Sequence, residues 1–120
     1  MDLLEIFRNS DEAENFPAGS VIIEEGTEGD LMYVVVSGEA SVSLNGKELA
    51  VAQPGEIVGE MALISSDLRS ATVTARSDCK LVPIDQASFE SLLRHVPDFS
   101  KFVMTLLANR LQHAYEMIEH

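Results

Sequence analysis

The sequence predicts a mainly β fold, a jelly-roll or double-stranded β-helix barrel with a short helix before the barrel and further helices after it. Three observations support this prediction. From Phe16 to Val82, short runs rich in β-branched residues are separated by Gly, Pro, Asn and Asp at intervals of roughly eight to twelve residues, as in antiparallel sandwiches and barrels. On both sides of this region the apolar period is helical. Apolar residues make up 46% of the chain and aromatic residues only 6%, which favours an aliphatic core.

A single domain is expected over residues 1–120, because this length suits one domain and no repeat, low-complexity tract or flexible linker divides the chain. We expect an N-terminal helical segment over 1–15, the barrel over 16–85 and C-terminal helices over 86–120. The barrel strands are predicted near 20–24, 31–37, 40–44, 47–52, 57–58, 71–75 and 79–85.

The first element is a helix of one or two turns over residues 2–8, where apolar side chains share one face. Inside the barrel, residues 33–36 are continuously apolar, which predicts a strand that is covered on both faces. Residues 40–44 alternate between polar and apolar, which predicts a strand with one exposed face. Asn45 and Gly46 both tolerate positive φ, so a two-residue hairpin turn is predicted after that strand.

Two helices are predicted after the barrel. Asp85 is placed to cap the first, whose apolar face runs from Phe89 to Val96 and ends before Pro97. The second extends from about residue 98 to residue 119, with an apolar stripe broader than contact with one sheet requires. Part of that stripe is expected to pair with a second subunit, which predicts a homodimer through the C-terminal helix.

Charge and composition exclude several classes of partner and site. The net charge of −12, from 20 acidic and 8 basic residues, argues against direct nucleic-acid binding. No apolar run is long enough to cross a membrane, no basic secretory signal is present, and the single cysteine suggests a reducing compartment, so a cytoplasmic protein is expected. No histidine precedes His95, so neither a His-rich metal site in the barrel nor a cupin-like metal enzyme is expected.

Residues 57–73, called the cassette from here on, have the chemistry of a site for a small phosphorylated sugar. Gly59, Ala62 and Ala71 leave backbone amides accessible, which a phosphate requires. Arg69, nine positions after Glu60, supplies a guanidinium fork, and Glu60 can accept hydrogen bonds from sugar hydroxyls. The alternative interpretation is a structural salt bridge between Glu60 and Arg69 across a loop.

From Ser20 to Ala75 the sequence resembles the cyclic-nucleotide-binding domain of bacterial catabolite-activator-type regulators, cyclic-nucleotide-dependent kinases and gated channels. The cassette fits the family pattern Phe-Gly-Glu-x-Ala-Leu followed by Pro-Arg-x-Ala-Thr-Val-x-Ala, with Val58 in place of Phe and Leu68 in place of Pro. The turn Pro54–Gly55–Glu56 resembles the family's Pro-Gly-Asp turn before it. Further matches in the first strand pair are Gly26, Gly29, Asp30, Tyr33 and Gly38.

The resemblance implies roles for individual residues. Glu60 would bind the ribose 2'-hydroxyl and Arg69 the equatorial oxygen of the cyclic phosphate, while amides near Ala62, Leu63 and Ala71 would take its other oxygens. Arg110, Ala114 and Tyr115 on the last helix would serve as lid or base contacts, and Arg110 would reach the ribose or Glu60. The complete set expected to bind the ligand is Val58, Gly59, Glu60, Met61, Ala62, Leu63, Arg69, Ser70, Ala71, Thr72 and Val73.

The function expected from these features is a stand-alone regulatory module, without enzymatic activity, metal or cofactor, that binds a 3',5'-cyclic nucleotide. Cyclic AMP is favoured over cyclic GMP, and the C-terminal helix is expected to carry the signal to a protein partner of unknown identity. One alternative is a fold that has lost nucleotide binding and serves as a dimerisation or partner-interaction module. Another is a fragment of a larger cyclic-AMP-responsive regulator. Many bacterial relatives carry a helix-turn-helix domain after the long helix, and the sequence ends before such a domain, so direct DNA binding is expected only if this chain is a fragment.

Overall fold

The computed structural model describes residues 2–65 and 68–119. The residues outside these ranges are Met1, Ser66, Asp67 and His120. The part of the predicted cassette at residues 66–67 therefore lies outside the described residues. Within the described ranges the chain forms four helices and eight strands, in the order α1 (Leu3–Phe7), β1 (Glu14–Phe16), β2 (Val21–Ile23), β3 (Met32–Ser37), β4 (Ala40–Leu44), β5 (Lys47–Ala52), β6 (Ile57–Val58), α2 (Met61–Ile64), β7 (Thr72–Ala75), β8 (Cys79–Ile84), α3 (Gln86–His95) and α4 (Phe99–Glu119).

The strands form two antiparallel four-stranded sheets, which confirms the predicted jelly-roll fold with flanking helices. The first sheet has the order β1-β8-β3-β6 and the second β2-β7-β4-β5. At the start of the cassette, Val58 pairs with Tyr33 in the first sheet. At its end, Val73 pairs with Val42 in the second sheet. The cassette therefore crosses from one sheet to the other, and both of its ends are fixed by strand pairing.

The core has two parts, separated by the central strand β3. Met32 and Val34 pack on one face of β3 with the helices, against residues such as Phe89 and Phe99. Tyr33 and Val35 point to the other face, into the space between the sheets. Of the residues predicted to lie in a strand covered on both faces, 33–35 are buried and Val36 is half-buried, so the prediction is confirmed for all but the last position.

One element differs from the sequence prediction. The N-terminal helix ends at Phe7, and β1 begins at Glu14, inside the segment 1–15 that was predicted to be helical. Glu14 and Asn15 are exposed, and only Phe16 packs inward, edge-on against Tyr33 with ring centroids 6.1 Å apart. A three-residue strand with one inward apolar side chain has too few residues for a hydrophobic period, so pairing with β8 decides its structure.

The predicted hairpin turn is confirmed, since Asn45 and Gly46 have φ values of 52° and 82° between β4 and β5. Phe99 and Val103 bury one side of α4 against the barrel, while the end of this helix is mostly exposed. Among residues 2–65 and 68–119, no helix combines the length and the apolar character needed to cross a bilayer.

Asp85 caps α3 as predicted, because its carboxylate accepts a hydrogen bond of 2.8 Å from the Ser88 amide. This bond holds the pKa of Asp85 below its usual value. The carboxylate therefore stabilises the fold at pH values above the unfolded pKa of about 3.9, and this contribution is lost as the pH falls through the lower folded pKa. We expect Asp85→Ala to lower the melting temperature at pH 7, and we expect this deficit to shrink as the pH falls below the unfolded pKa.

This prediction is measured as the difference in melting temperature between variant and wild type at each pH, since that difference cancels the titration of the other carboxyl groups. Asp11→Ala, in an exposed turn, is the control, and its melting temperature should differ little from that of the wild type at every pH. An undiminished deficit of Asp85→Ala in acid would contradict a charge-dependent cap.

Candidate functional site

A cavity of about 290 Å³ lies where the second sheet, the cassette and α4 meet. This volume is at the lower end of the range usual for small-molecule sites, about 300 to 1,000 Å³. Its charged lining residues are Glu60, Arg69 and Arg110, so the cavity carries one excess positive charge within a chain of net charge −12. The full lining is Ile23, Val42, Leu49, Val58, Gly59, Glu60, Met61, Ala62, Arg69, Ser70, Ala71, Val73, Leu107 and Arg110.

Gly59 connects β6 to α2 in a conformation that only glycine adopts without strain, with φ of 78°. A Cβ atom at this position would lie 2.7 Å from Ile23 Cδ1 and 3.1 Å from Arg69 Nη1. The Gly59 carbonyl in turn accepts a hydrogen bond of 3.2 Å from Arg69 Nη1. Gly59 therefore permits the turn into α2 and also the approach of the arginine.

Arg69 is half-buried, and backbone groups of other residues form hydrogen bonds with both its main chain and its side chain. Its amide donates to Thr27 O and its carbonyl accepts from the Gly26 amide, each at 2.8 Å. Its Nη2 donates to Leu31 O at 2.7 Å, in addition to the Nη1 bond to Gly59 O. Because all of these partners are neutral and the guanidinium has further N–H donors, Arg69 can still bind an anion in the cavity.

Glu60 is buried, with 3% of its surface exposed, and its partner is Arg110 on α4. Glu60 Oε1 lies 2.7 Å from Arg110 Nη1, and Arg110 Nη2 donates to Ile57 O at 2.6 Å. The alternative of a Glu60–Arg69 salt bridge is therefore wrong: the buried carboxylate is paired with a residue fifty positions away in sequence. Since the ion pair uses Oε1, Oε2 is left to accept from a ligand hydroxyl.

The remaining polar groups of the cassette have different surroundings. The Leu63 amide donates to Glu60 O at 3.0 Å and the Ala62 amide to Gly59 O at 3.3 Å, so both close the first turn of α2. These two amides, expected to bind phosphate oxygens, therefore already have backbone acceptors. The Thr72 hydroxyl donates to Glu25 Oε1 at 3.0 Å and accepts from the Glu25 amide at 3.1 Å. Thr72 therefore ties the cassette to the loop after β2 and does not face the cavity.

Ten of the predicted binding and lid residues line the cavity together. Four others that the structure describes, Leu63, Thr72, Ala114 and Tyr115, lie outside the lining. Tyr115 is 55% exposed near the end of α4. The lining residues that the sequence prediction missed are Ile23, Val42, Leu49 and Leu107. The inward positions of strands 20–24, 40–44 and 47–52 were the available signal for three of them.

Burial shifts the pKa of two side chains in the core cluster between the sheets. Burial raises the pKa of Tyr33, and the Glu14 carboxylate raises it further, while Arg69 acts in the opposite direction. Burial also raises the pKa of Cys79, although its Sγ lies 3.1 Å from Glu39 O and 3.2 Å from Ser77 O. Both side chains therefore remain neutral at pH 7, and neither is a nucleophile there.

Comparison with known proteins gives a match to the family model for the cyclic nucleotide-binding domain over residues 13–96. This range contains the whole cassette and both sheets, and it ends at the C-terminus of α3. The cavity lining that lies beyond it belongs to α4 and comprises Leu107 and Arg110.

Among curated proteins, the chain is 36% identical over 88 residues to a cGMP-dependent protein kinase of Toxoplasma gondii, covering 73% of this chain and 9% of the kinase. It is 38% identical over 92 residues to a cAMP-dependent protein kinase regulatory subunit of Aspergillus niger, covering 75% of this chain and 22% of that subunit. The chain thus spans less than a quarter of the length of these two relatives.

Among solved structures, the chain is similar to PKAR CBD2 bound to Sp-2Cl-cAMPS, with a TM-score of 0.76 and 26% sequence identity. The alignment covers 95% of this chain and 84% of the other. Because the coverage of this chain is nearly complete, the similarity extends to the helices that flank the barrel.

Proposed function

The chain belongs to the cyclic nucleotide-binding domain family, and from this premise we propose that it is a regulatory module that binds a 3',5'-cyclic nucleotide, with cyclic AMP favoured over cyclic GMP. The observation that carries the proposal is the group of three charged residues in the cavity. Arg69 presents unused donors, while Glu60 and Arg110 form an ion pair beside it. A ligand with an anionic group next to a hydroxyl group complements this arrangement.

The cyclic phosphate is assigned to Arg69. A fixed guanidinium contributes charge-assisted hydrogen bonds without the entropy loss of ordering a free side chain. Ala71 and Ser70 follow Arg69 along the cavity wall, and their small side chains leave the backbone accessible to the remaining phosphate oxygens. The excess positive charge of the lining outweighs the acidic surface because it acts at short range in a partly enclosed space.

The ribose is assigned to Glu60, whose Oε2 is the acceptor for the 2'-hydroxyl. Since Glu60 is buried and held by Arg110, its carboxylate is oriented before the ligand arrives. A 2'-deoxy ligand would leave one lone pair of a buried carboxylate without its donor, which is unfavourable.

The preference for cyclic AMP is supported by the apolar wall of the cavity. Ile23, Val42 and Leu49 contribute only aliphatic side chains. Guanine carries both an oxygen acceptor and an exocyclic amine on its edge, where adenine carries a single amine, so an aliphatic wall leaves more of guanine's polar groups without partners. We therefore place the base against this wall.

The output is assigned to α4 through Arg110. Arg110 binds the Glu60 carboxylate and the Ile57 carbonyl, so the position of α4 depends on the residue that contacts the ribose. A ligand that competes for Glu60, or adds a contact to Arg110, changes the relative stability of two α4 positions. This coupling would let α4 report occupancy of the cavity.

Isothermal titration tests the proposal on protein that has been freed of retained nucleotide. We expect saturable binding of cyclic AMP, weaker binding of cyclic GMP, and weaker binding of 2'-deoxy cyclic AMP than of cyclic AMP. Adenosine, which has no phosphate, is the matched control ligand and should bind far more weakly than cyclic AMP. Absence of saturable binding for both cyclic nucleotides would overturn the proposal.

We also propose that α4 pairs with α4 of a second copy of the chain. Met104, Leu111 and Ile118 are 62%, 55% and 79% exposed and recur every seven residues, so they follow one face of the helix. Exposing an apolar stripe of this kind to water is unfavourable, so a partner helix that covers it stabilises the assembly. The same stripe also favours the second candidate function, in which the domain no longer binds a nucleotide and serves as a dimerisation module.

Leu111→Glu is expected to prevent this association, since it places a carboxylate in the centre of the stripe. We expect the dimer dissociation constant to rise by at least about 100-fold, because burying an unpaired charge costs several kcal/mol. Gln112→Glu adds the same charge at the neighbouring exposed position and should leave the dimer intact. Sedimentation velocity over a concentration series measures both variants, and a monomeric wild type would refute the pairing.

The proposed role involves no chemical reaction of the bound nucleotide. Direct nucleic-acid contact by this stretch of chain is opposed by its charge of −12. A buried, unpaired Cys79 fits a reducing compartment, and the proposal places the protein in the cytoplasm.

A further inference from the structure

The loop between β2 and β3 surrounds Arg69 on several sides. Thr27 and Gly26 bond to its main chain, and the Leu31 carbonyl accepts from its Nη2. The start of the loop is anchored as well, because Glu25 bonds to Thr72 of the cassette. The loop and the cassette therefore form one unit around the guanidinium, although they lie about forty residues apart in sequence.

Gly29 of this loop lies directly against the guanidinium. A Cβ atom added to Gly29 would lie 2.5 Å from Arg69 Cζ and 2.6 Å from Nη2, with Nε closer still. Carbon atoms do not approach this closely without a shift of one partner. Unlike Gly26 and Gly59, Gly29 is not among the glycines with positive φ, so its backbone conformation is open to alanine. Glycine at this position is explained by the space that the guanidinium occupies.

We propose that Gly29 is a positioning residue that sets the affinity of the cavity for the phosphate group, by leaving room for the Arg69 guanidinium between the loop and Gly59. The inference rests on the proposed function, because it takes Arg69 as the residue that binds phosphate. It adds a determinant of affinity outside the cassette and outside the cavity lining.

A methyl group at position 29 moves the guanidinium and leaves the rest of the fold in place. The atoms it meets belong to the end of a long, flexible side chain, which can rotate away at little cost to folding. Rotation breaks the bonds to Leu31 O and Gly59 O that fix the direction of the unused donors. The arginine remains present and charged but is no longer aimed at the ligand, so affinity falls while stability changes little.

The test compares cyclic AMP affinity and melting temperature for wild type, Gly29→Ala and Gly19→Ala. We expect Gly29→Ala to lose about 10- to 100-fold in affinity, the range of a hydrogen bond to a charged group. Gly19→Ala should show the opposite profile, because Gly19 has φ of 90° and a Cβ atom added there would have no atom of Arg69 or of any other contacting residue within 4 Å. It should lower the melting temperature and leave the affinity unchanged. Equal affinity of Gly29→Ala and wild type would overturn the inference.

The double variant Gly29→Ala/Arg69→Ala separates positioning from a general disturbance of the loop. With Arg69 truncated, the added methyl group has no guanidinium to displace, so the double variant should bind cyclic AMP as Arg69→Ala does. A further large loss in the double variant would show that Gly29 acts independently of Arg69 and would refute the positioning role.

A readout without ligand distinguishes failure of this inference from failure of the proposed function. The Arg69 Nε–Hε signal, assigned by comparison with Arg69→Lys, should shift in Gly29→Ala protein that contains no nucleotide. Failure of the wild type to bind cyclic AMP would overturn the proposed function, whereas an unchanged Nε–Hε signal would overturn the effect of Gly29 on Arg69 in either case.

Discussion

Replacing Arg69 with Ala is expected to weaken cyclic AMP binding by about 2 to 5 kcal/mol, as expected when one partner of a buried charge pair is removed. Arg69 is the cationic cavity residue whose side-chain partners are neutral carbonyls, whereas Arg110 is already paired with Glu60. The phosphate would therefore lose its main counter-charge, and the acidic surface of the chain would act against it unopposed. Titration calorimetry of variant and wild type at the same ionic strength measures the difference.

Two further variants make this prediction specific. Arg69→Lys keeps the charge but cannot bond to both Leu31 O and Gly59 O while presenting a fork to the phosphate, so an intermediate affinity is expected. Arg76→Ala removes the same charge from an exposed position at the end of β7 and should change affinity little. Comparable affinities of Arg69→Ala and Arg76→Ala would exclude Arg69 as the phosphate-binding residue. Circular dichroism must show both variants folded at the titration temperature, so that a loss of affinity is not caused by unfolding.

Features that depend on short stretches of sequence could be predicted. The hairpin turn needs only Asn45 and Gly46, because both residues accept positive φ. The central strand could be predicted because residues 33–36 are continuously apolar, as a strand covered on both faces requires. Most of the cavity comes from the cassette, where Gly59, Glu60 and Arg69 are close in sequence and each residue type is required by the chemistry of a sugar phosphate.

Features that depend on contacts between distant segments were harder to predict from the sequence. The sequence left two possible partners for Glu60 open, and the fold selects Arg110 by packing α4 across the cavity. The spacing of the cassette gives no information on Gly29, whose role follows from a loop that folds back over Arg69. The edge strand β1 has one inward side chain and takes its structure from β8. In each case the decisive interaction is tertiary, so local preferences do not determine it.

The Glu60–Arg110 pair should respond unequally to the loss of either partner, because its two residues are buried to different extents. The Glu60 side chain is 4% exposed and the Arg110 side chain 21%. Arg110→Met leaves a buried carboxylate without its cation. We expect a loss of about 3 kcal/mol in the free energy of unfolding, the lower end for a buried pair, because Glu60 also borders the cavity. Glu60→Gln leaves a guanidinium that still bonds to Ile57 O and reaches water, so a loss of about 1 kcal/mol is expected.

Urea unfolding measures this asymmetry, and Arg94→Met supplies the matched control. Arg94 pairs with Glu90 at 3.8 Å on the exposed face of α3, with side chains 71% and 50% exposed, so its loss should cost less than about 0.5 kcal/mol.

In the ligand-binding assay, Glu60→Gln should reduce the discrimination between cyclic AMP and its 2'-deoxy form. Arg110→Met should increase hydrogen exchange along α4. If Arg110→Met were no less stable than Arg94→Met, the pair would contribute too little to hold α4 on the cassette, and another contact would have to transmit occupancy of the cavity.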